Sequence, residues 1–184
     1  MTGVVTRAPE WPPTAKSLHW ATALLVLAQL PLGWIATSWP LSPVKLDLFV
    51  WHKSLGFAIL GLVAVRLAYR ACTTRPPLPS TMAGWERTGA TLVHVLLYAG
   101  LVALPMSGWI VNDASNIPFR IFRQVPVPRL VAPDRALASL ASGVHLALAV
   151  ALALLLVLHI GAALVHHVAR RDGVLEAMLP WRRR

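Results

Sequence analysis

The residues most able to do chemistry are histidines in apolar surroundings. The chain has seven, and all of them lie within or at the edge of long apolar runs, where a titratable side chain is costly to bury and points to function. His145 and His159 are fourteen residues apart. On a helix that places them within about 40° of one face and about 21 Å apart along the axis. A single helix can thus offer a metal ligand near each surface of a bilayer. His19 lies at the depth of His159, near the start of the first apolar run, and His52, near the start of the second, lies at the depth of His145. The pairs His19 with His159 and His52 with His145 then form two bis-histidine sites. Two imidazoles on opposite sides of a flat macrocycle leave its iron six-coordinate, which suits electron transfer better than oxygen binding. Zinc would need its ligands clustered at one point. The lone cysteine, Cys72, excludes an intramolecular disulfide and cysteine-built zinc or iron–sulfur centres, and the lack of a Cys-x-x-Cys-His motif excludes ordinary c-type haem attachment.

Small residues one turn from each of these histidines, Ala23, Gly56, Ala149 and Ala163, would leave clearance for a porphyrin. His94 is followed by Tyr98 and His166 by Arg170. His94 competes as an inner ligand or as part of a quinone pocket, while His166 and His167 read as interfacial residues beside Arg170 and Arg171. Arg66, and Lys53 on the outer side, are candidates to meet a haem propionate, with snorkelling to the interface the simpler account of Arg66.

These residues need long apolar helices to hold them. The chain is 57% hydrophobic and 13% charged, with a mean hydropathy of +0.62, more apolar surface than a small soluble domain can bury. A bilayer core takes about 20 apolar residues, and four runs qualify: 18–37, 49–71, 88–111 and 137–168. Open strands cannot satisfy their backbone in lipid and the runs do not alternate as barrel strands do, so the fold class is all-α, an integral membrane four-helix bundle. One transmembrane diheme domain then occupies 1–184. Pro31 and Pro105 should kink their helices. The first run follows Trp11-Pro12-Pro13 and exceeds a signal peptide's apolar stretch, so it reads as a retained span.

The links are short: 39–47, then 73–87 with Pro76, Pro77 and Pro79, and the longer 112–135. His19…Leu30-Pro31-Leu32-Gly33-Trp34 is echoed by His94…Leu104-Pro105-Met106-Ser107-Gly108-Trp109, which fits a duplicated helix pair and equally a chance recurrence. With both termini cytoplasmic, eleven basic residues lie inside (Arg7, Lys16, Arg66, Arg70, Arg75, Arg87, Arg170, Arg171 and Arg182 to Arg184) against six outside (Lys45, Lys53, Arg120, Arg123, Arg129 and Arg135), the bias expected of inner positive charge. Basic residues that sit almost wholly between the apolar runs, with no basic stripe alternating with aromatics on a soluble domain, argue against a nucleic-acid surface.

Ser17-Leu18-His19-Trp20, Trp51-His52-Lys53-Ser54-Leu55-Gly56, His94 with Leu104-Pro105-Met106-Ser107-Gly108, and the step from His145 to His159 followed by Ala163 and His166-His167 together resemble the bacterial cytochrome b561 family. The resemblance extends to the helix layout of cytochrome b subunits of formate dehydrogenase and nickel–iron hydrogenase, and it covers nearly the whole chain. It implies a multi-pass protein of the bacterial inner membrane with two haem b groups, held by His52 with His145 outside and by His19 with His159 inside, that exchanges electrons with ubiquinone or another quinone. One branch of the family oxidises superoxide on the periplasmic side.

The outer loop carries Arg120, Arg123, Arg129 and Arg135 against Asp113 and Asp134, and a basic surface raises the local concentration of an anion such as superoxide. The leading expectation is therefore electron transfer from superoxide, or from a periplasmic redox partner, through two haems to membrane quinone. The rival readings are a haem-bearing anchor subunit for a partner dehydrogenase, and a transporter whose histidines bind a metal ion or protons.

Overall fold

The computed structural model describes residues 10–74, 76 and 82–179. Arg7, Arg75, Pro77, Pro79 and Arg182 to Arg184, used above for orientation and links, lie outside the described residues. Four long helices account for most of the rest: α1 over Pro13–Ser38, α2 over Pro43–Ala71, α3 over Gly84–Ala114 and α4 over Arg135–Val165. All four are long and apolar enough to cross a membrane. Each begins before the apolar run that announced it, because its first turn is built from polar and proline signals rather than from hydropathy.

Pro13 and Pro43 stand at the starts of α1 and α2, where a missing amide proton costs nothing and φ is already helical. Ser42 caps α2 by accepting from Lys45 N, and Asp134 caps α4 by accepting from the amides of Ala136 and Leu137. At the start of α3, Glu86 reaches back to accept from Ala83 N at 2.9 Å. Pro31 and Pro105 lie inside continuous helices, which membrane helices tolerate when neighbouring groups take up the freed carbonyl.

The α-helical turns of α4 end at Val165, earlier than the expected 168, and a π-helical turn over His166–Arg170 continues the chain. Arg171, at φ 52°, and Gly173, at φ 81°, then reverse it. The returning segment, which includes a short 3₁₀ turn over Glu176–Met178, lies across the start of α1: Trp20 Nε1 donates to Met178 O at 2.9 Å and Trp11 N to Ala177 O at 3.4 Å.

Helix α1 packs along α2, α3 along α4, and the two hairpins meet mainly where α2 touches α3. The backbone of α4 stays largely clear of α1 and α2, which leaves a cleft between them. Midway up the bundle Val26, Ile59, Val63, Leu97, Leu104 and Leu152 form the buried core. Leu152 is seven residues from both His145 and His159, so this aliphatic layer separates the two ends of the cleft. Lipid supplies no hydrophobic drive between helices, so the bundle rests on such packing and on interhelical hydrogen bonds.

The link between α3 and α4 contains a small antiparallel hairpin, β1 over Arg120–Ile121 and β2 over Val125–Pro126. Its turn places Phe122 and Arg123 at φ 48° and 62°, a left-handed conformation that large side chains seldom adopt. Three contacts to α2 hold it there: Phe122 N donates to the fully buried Ser54 Oγ at 2.8 Å, the Phe122 ring meets Trp51 at 5.5 Å, and Arg123 pairs with Asp47. The hairpin is thereby pinned to the residues on either side of His52.

Candidate functional site

The histidines paired by depth in the sequence are brought face to face across the cleft. His52 of α2 meets His145 of α4 and His19 of α1 meets His159 of α4, both pairs with ring centroids 6.3 Å apart and planes inclined at 78° and 69°. An imidazole nitrogen lies about 2.0 Å from a coordinated metal and about 1.1 Å from the centre of its own ring, so two imidazoles in line across one iron have centroids about 6.2 Å apart. Rings that hydrogen-bonded directly would stand closer. The spacing at both ends therefore fits an iron between the rings, and two neutral nitrogen donors suit a haem. Among the described residues, no three histidine, cysteine, aspartate or glutamate side chains converge as a metal site.

At the outer site each ring lies on a glycine of the helix beside its own. A Cβ at Gly33 of α1 would stand 2.7 Å from His52 Cε1, and one at Gly108 of α3 would stand 3.1 Å from His145 Cε1. Gln29 Nε2 donates to the backbone oxygen of His52 at 2.6 Å, tying α1 to α2 at the ligand. Two polar atoms beside this bond, His52 Nδ1 and Gln29 Oε1, are buried without a hydrogen-bond partner. His145 differs, since its Nδ1 lies 2.9 Å from Ser107 Oγ.

Lys53 does not reach into the cleft. Its Nζ donates to Asn112 Oδ1 at 2.6 Å and lies over the rings of Phe49 and Phe119, at 5.9 and 5.6 Å. Asn112 in turn donates to Ile117 O at 2.7 Å, and Asp113 Oδ2 accepts from Leu130 N at 2.7 Å. The outer loop is thus fastened to the end of α3 by two side chains that were read only as loop polarity. Of its arginines, Arg123 is neutralised by Asp47, whereas Arg129 bonds the uncharged Asn116 side chain at 2.9 Å. Among the described residues, Arg120, Arg129 and Arg135 have no carboxylate partner.

The inner site is more crowded. His94 of α3 approaches the His159 ring edge-on with centroids 5.2 Å apart, nearer than trans ligands of one iron can be. It therefore flanks His159 rather than opposing it. Arg66 bonds His19 Nδ1 at 2.8 Å, and both Arg66 and Arg70 lie 5.4 Å from the Tyr98 ring. A guanidinium has only protons to give, so in this contact His19 Nδ1 is the acceptor. Ligation through Nε2 would need the opposite tautomer, so a His19 that held an iron in this way would have to give up this bond, and Arg66 would then be free for an acidic group.

His166 and His167 stand outside both pairs, as the sequence suggested, but each has a carboxylate. His166 Nδ1 lies 2.5 Å from Asp172 and His167 Nδ1 2.6 Å from Glu176, while Arg170 pairs with Glu86 at 2.5 Å. Desolvation raises the Asp172 carboxyl, yet hydrogen bonds from His166 and from the Val174 amide outweigh it and hold the group below its ordinary range.

Gly33, Gly108 and Ser107 entered the sequence reading only as parts of motifs and Asn112 only as the start of a loop, while Gln29 did not enter it. The signal for the glycines was present in the noted echo: Gly33 follows His19 by fourteen residues and Gly108 follows His94 by fourteen. In the structure the echoed glycines do the same work, each seating one ring of the outer pair.

The chain is similar over most of its length to known proteins. The family model for prokaryotic cytochrome b561 matches residues 10–181. "Cytochrome b561 homolog 2" of Escherichia coli (strain K12) is 31% identical over 172 residues, covering 90% of this chain and 88% of that one. "Cytochrome b561 homolog 1" of the same organism is 29% identical over 170 residues, covering 90% and 94%. A "Probable superoxide oxidase CybB" of Yersinia pestis is 28% identical over 180 residues, covering 90% and 93%.

Proposed function

Because the chain belongs to the prokaryotic cytochrome b561 family, multi-pass inner-membrane electron-transfer proteins that bind haem b, we propose that it carries electrons through two haems between a periplasmic donor and membrane quinone. The observation that supports this reading most is the repeated 6.3 Å spacing of His52 with His145 and of His19 with His159. When bound, the haems supply one-electron oxidation and reduction. The four histidines orient them at the two ends of α4, about 21 Å apart by helix rise. The aliphatic layer around Leu152 keeps water from the midplane, so charge crosses there as electrons.

Superoxide is the donor favoured by the outer face. Arg120, Arg129 and Arg135, which no described carboxylate neutralises, draw an anion toward the end of the bundle that holds His52 and His145. Superoxide gives up one electron and leaves as dioxygen. Two such electrons, with two protons taken from water, convert a quinone to a quinol. The name of the Yersinia pestis relative supports this choice.

Pulses of superoxide should reduce the haems of the purified protein, more slowly as salt is raised, and added quinone should reoxidise them. No haem reduction under superoxide would rule out this donor. The same arginines also suit an acidic redox protein, which makes a haem-bearing anchor subunit the second reading. Co-purification of such a partner, with no response to superoxide, would favour it.

A further inference from the structure

We infer that Ser107 is a positioning residue that sets the tautomer and the ring plane of His145 for axial ligation at the outer site. This rests on the proposed role of His145 as a haem ligand.

A serine hydroxyl has a single proton and two lone pairs. Ser107 Oγ lies 2.8 Å from Leu104 O, three residues back in its own helix, and that carbonyl can only accept. With the hydroxyl proton given to Leu104, the 2.9 Å contact to His145 Nδ1 is one that the imidazole donates, and the Leu104 carbonyl is an acceptor for the same ring. Nδ1 then carries the proton and Nε2 is bare, the form in which a histidine binds iron. Ser107 is itself buried. Gly108 completes the seat, since the space its missing side chain leaves lets the ring lie against α3, with Cε1 only 3.1 Å from where a Cβ would be.

The internal echo shows what the hydroxyl adds. In the repeat Leu30-Pro31-Leu32-Gly33-Trp34, the position matching Ser107 is Leu32, and Gly33 seats His52 as Gly108 seats His145. Leucine offers no acceptor, and His52 Nδ1 is buried without a partner. Each ring also has a backbone carbonyl near it, Leu104 for His145 and Gln29 for His52. The Ser107 hydroxyl is what His145 has in addition, and the extra acceptor makes it the more basic ligand, which favours ferric over ferrous iron.

The test uses the full-length, haem-loaded chain. His145→Ala should lose one haem's optical signature. Ser107→Ala should raise the midpoint potential of that haem by about 59 mV, a tenfold change in its reduction equilibrium, and speed its dissociation about tenfold, leaving the other haem unchanged. Ser107→Thr, which keeps the hydroxyl, should restore both. If His145→Ala leaves both haems in place, the site reading itself fails. If His145→Ala removes one haem but Ser107→Ala moves neither potential nor dissociation, or if Ser107→Thr behaves as Ser107→Ala does, the positioning role of Ser107 is overturned.

Discussion

The His52 ring lies so close to Gly33 of the neighbouring helix that a single added carbon there would come within 2.7 Å of Cε1. Real Cβ atoms do not approach so near, and the object they would meet is the ring that faces His145. Gly33→Ala should therefore turn His52 out of line and weaken the outer haem. Gly108→Ala, where the corresponding distance is 3.1 Å, should do the same to His145 with smaller effect. Haem titration of the two variants should give losses of about tenfold and severalfold, the range seen when ligand geometry is disturbed. Equal wild-type affinities would mean that the rings are free to move.

Arg66 makes a second expectation about the inner site. A cation beside a haem favours its reduced state, whose charge is lower by one. Arg66→Met keeps an apolar stem and removes the charge, so it should lower one midpoint potential, by about 59 mV if the reduction equilibrium changes tenfold. Arg66→Lys should retain most of the wild-type value. A redox titration in which neither variant moves either potential would place Arg66 outside the site's electrostatics.

The outer arginines are not equivalent. Arg123 is already paired with Asp47, whereas Arg129 bonds only the neutral Asn116 side chain. Arg129→Gln should slow haem reduction by superoxide severalfold at low ionic strength and much less at high. Arg123→Gln should leave Asp47 unpaired and slow the rate by a comparable amount. Double replacement of Arg123 and Asp47, which removes both charges, should return it near wild type, as stopped-flow measurements over a salt series can show.

The return of the chain after α4 depends on Asp172. Its carboxyl is held below the ordinary range because hydrogen bonds from His166 and the Val174 amide outweigh desolvation. A carboxylate with a depressed folded-state pKa gives stability above its unfolded value of about 3.9 and loses it as pH falls through the folded one. The contact of 2.5 Å between His166 and Asp172, both nearly buried, should thus survive mild acid and loosen only in strong acid. Asp172→Asn should cost about 1–3 kcal/mol at neutral pH. Hydrogen exchange of the amides from 172 to 179 should report both effects.

The four helices were legible because lipid leaves few options: apolar runs of sufficient length must be helical, and hydropathy marks their middles. Their ends were not, since Pro13, Ser42, Glu86 and Asp134 act through the backbone geometry and hydrogen bonds of a first turn, which hydropathy does not see. The partners of His145 and His159 could be read because a fourteen-residue step is nearly a whole number of helical turns, and depth then selects His52 and His19. The π-helical turn after Val165 and the return of the chain onto Trp20 depend on carboxylates meeting His166 and His167, contacts only six and nine residues apart across a chain reversal that no periodicity records. Ser107 was visible as part of the Leu-Pro-Met-Ser-Gly run, but its bond to His145 depends on how α3 and α4 are rotated against each other. Arg66 was visible too, and only the packed structure shows it resting on His19.

The central claim is that α4 presents two separate axial-ligand sites, each completed by one histidine of the α1–α2 hairpin. The most direct test is haem counting on the purified chain, by pyridine haemochrome against protein mass, for wild type and for His52→Ala and His19→Ala. The account predicts two haems of the b type in wild type and one in each variant, with different midpoint potentials surviving in the two. A wild-type chain with one haem or none, or two variants that lose the same haem, would contradict it.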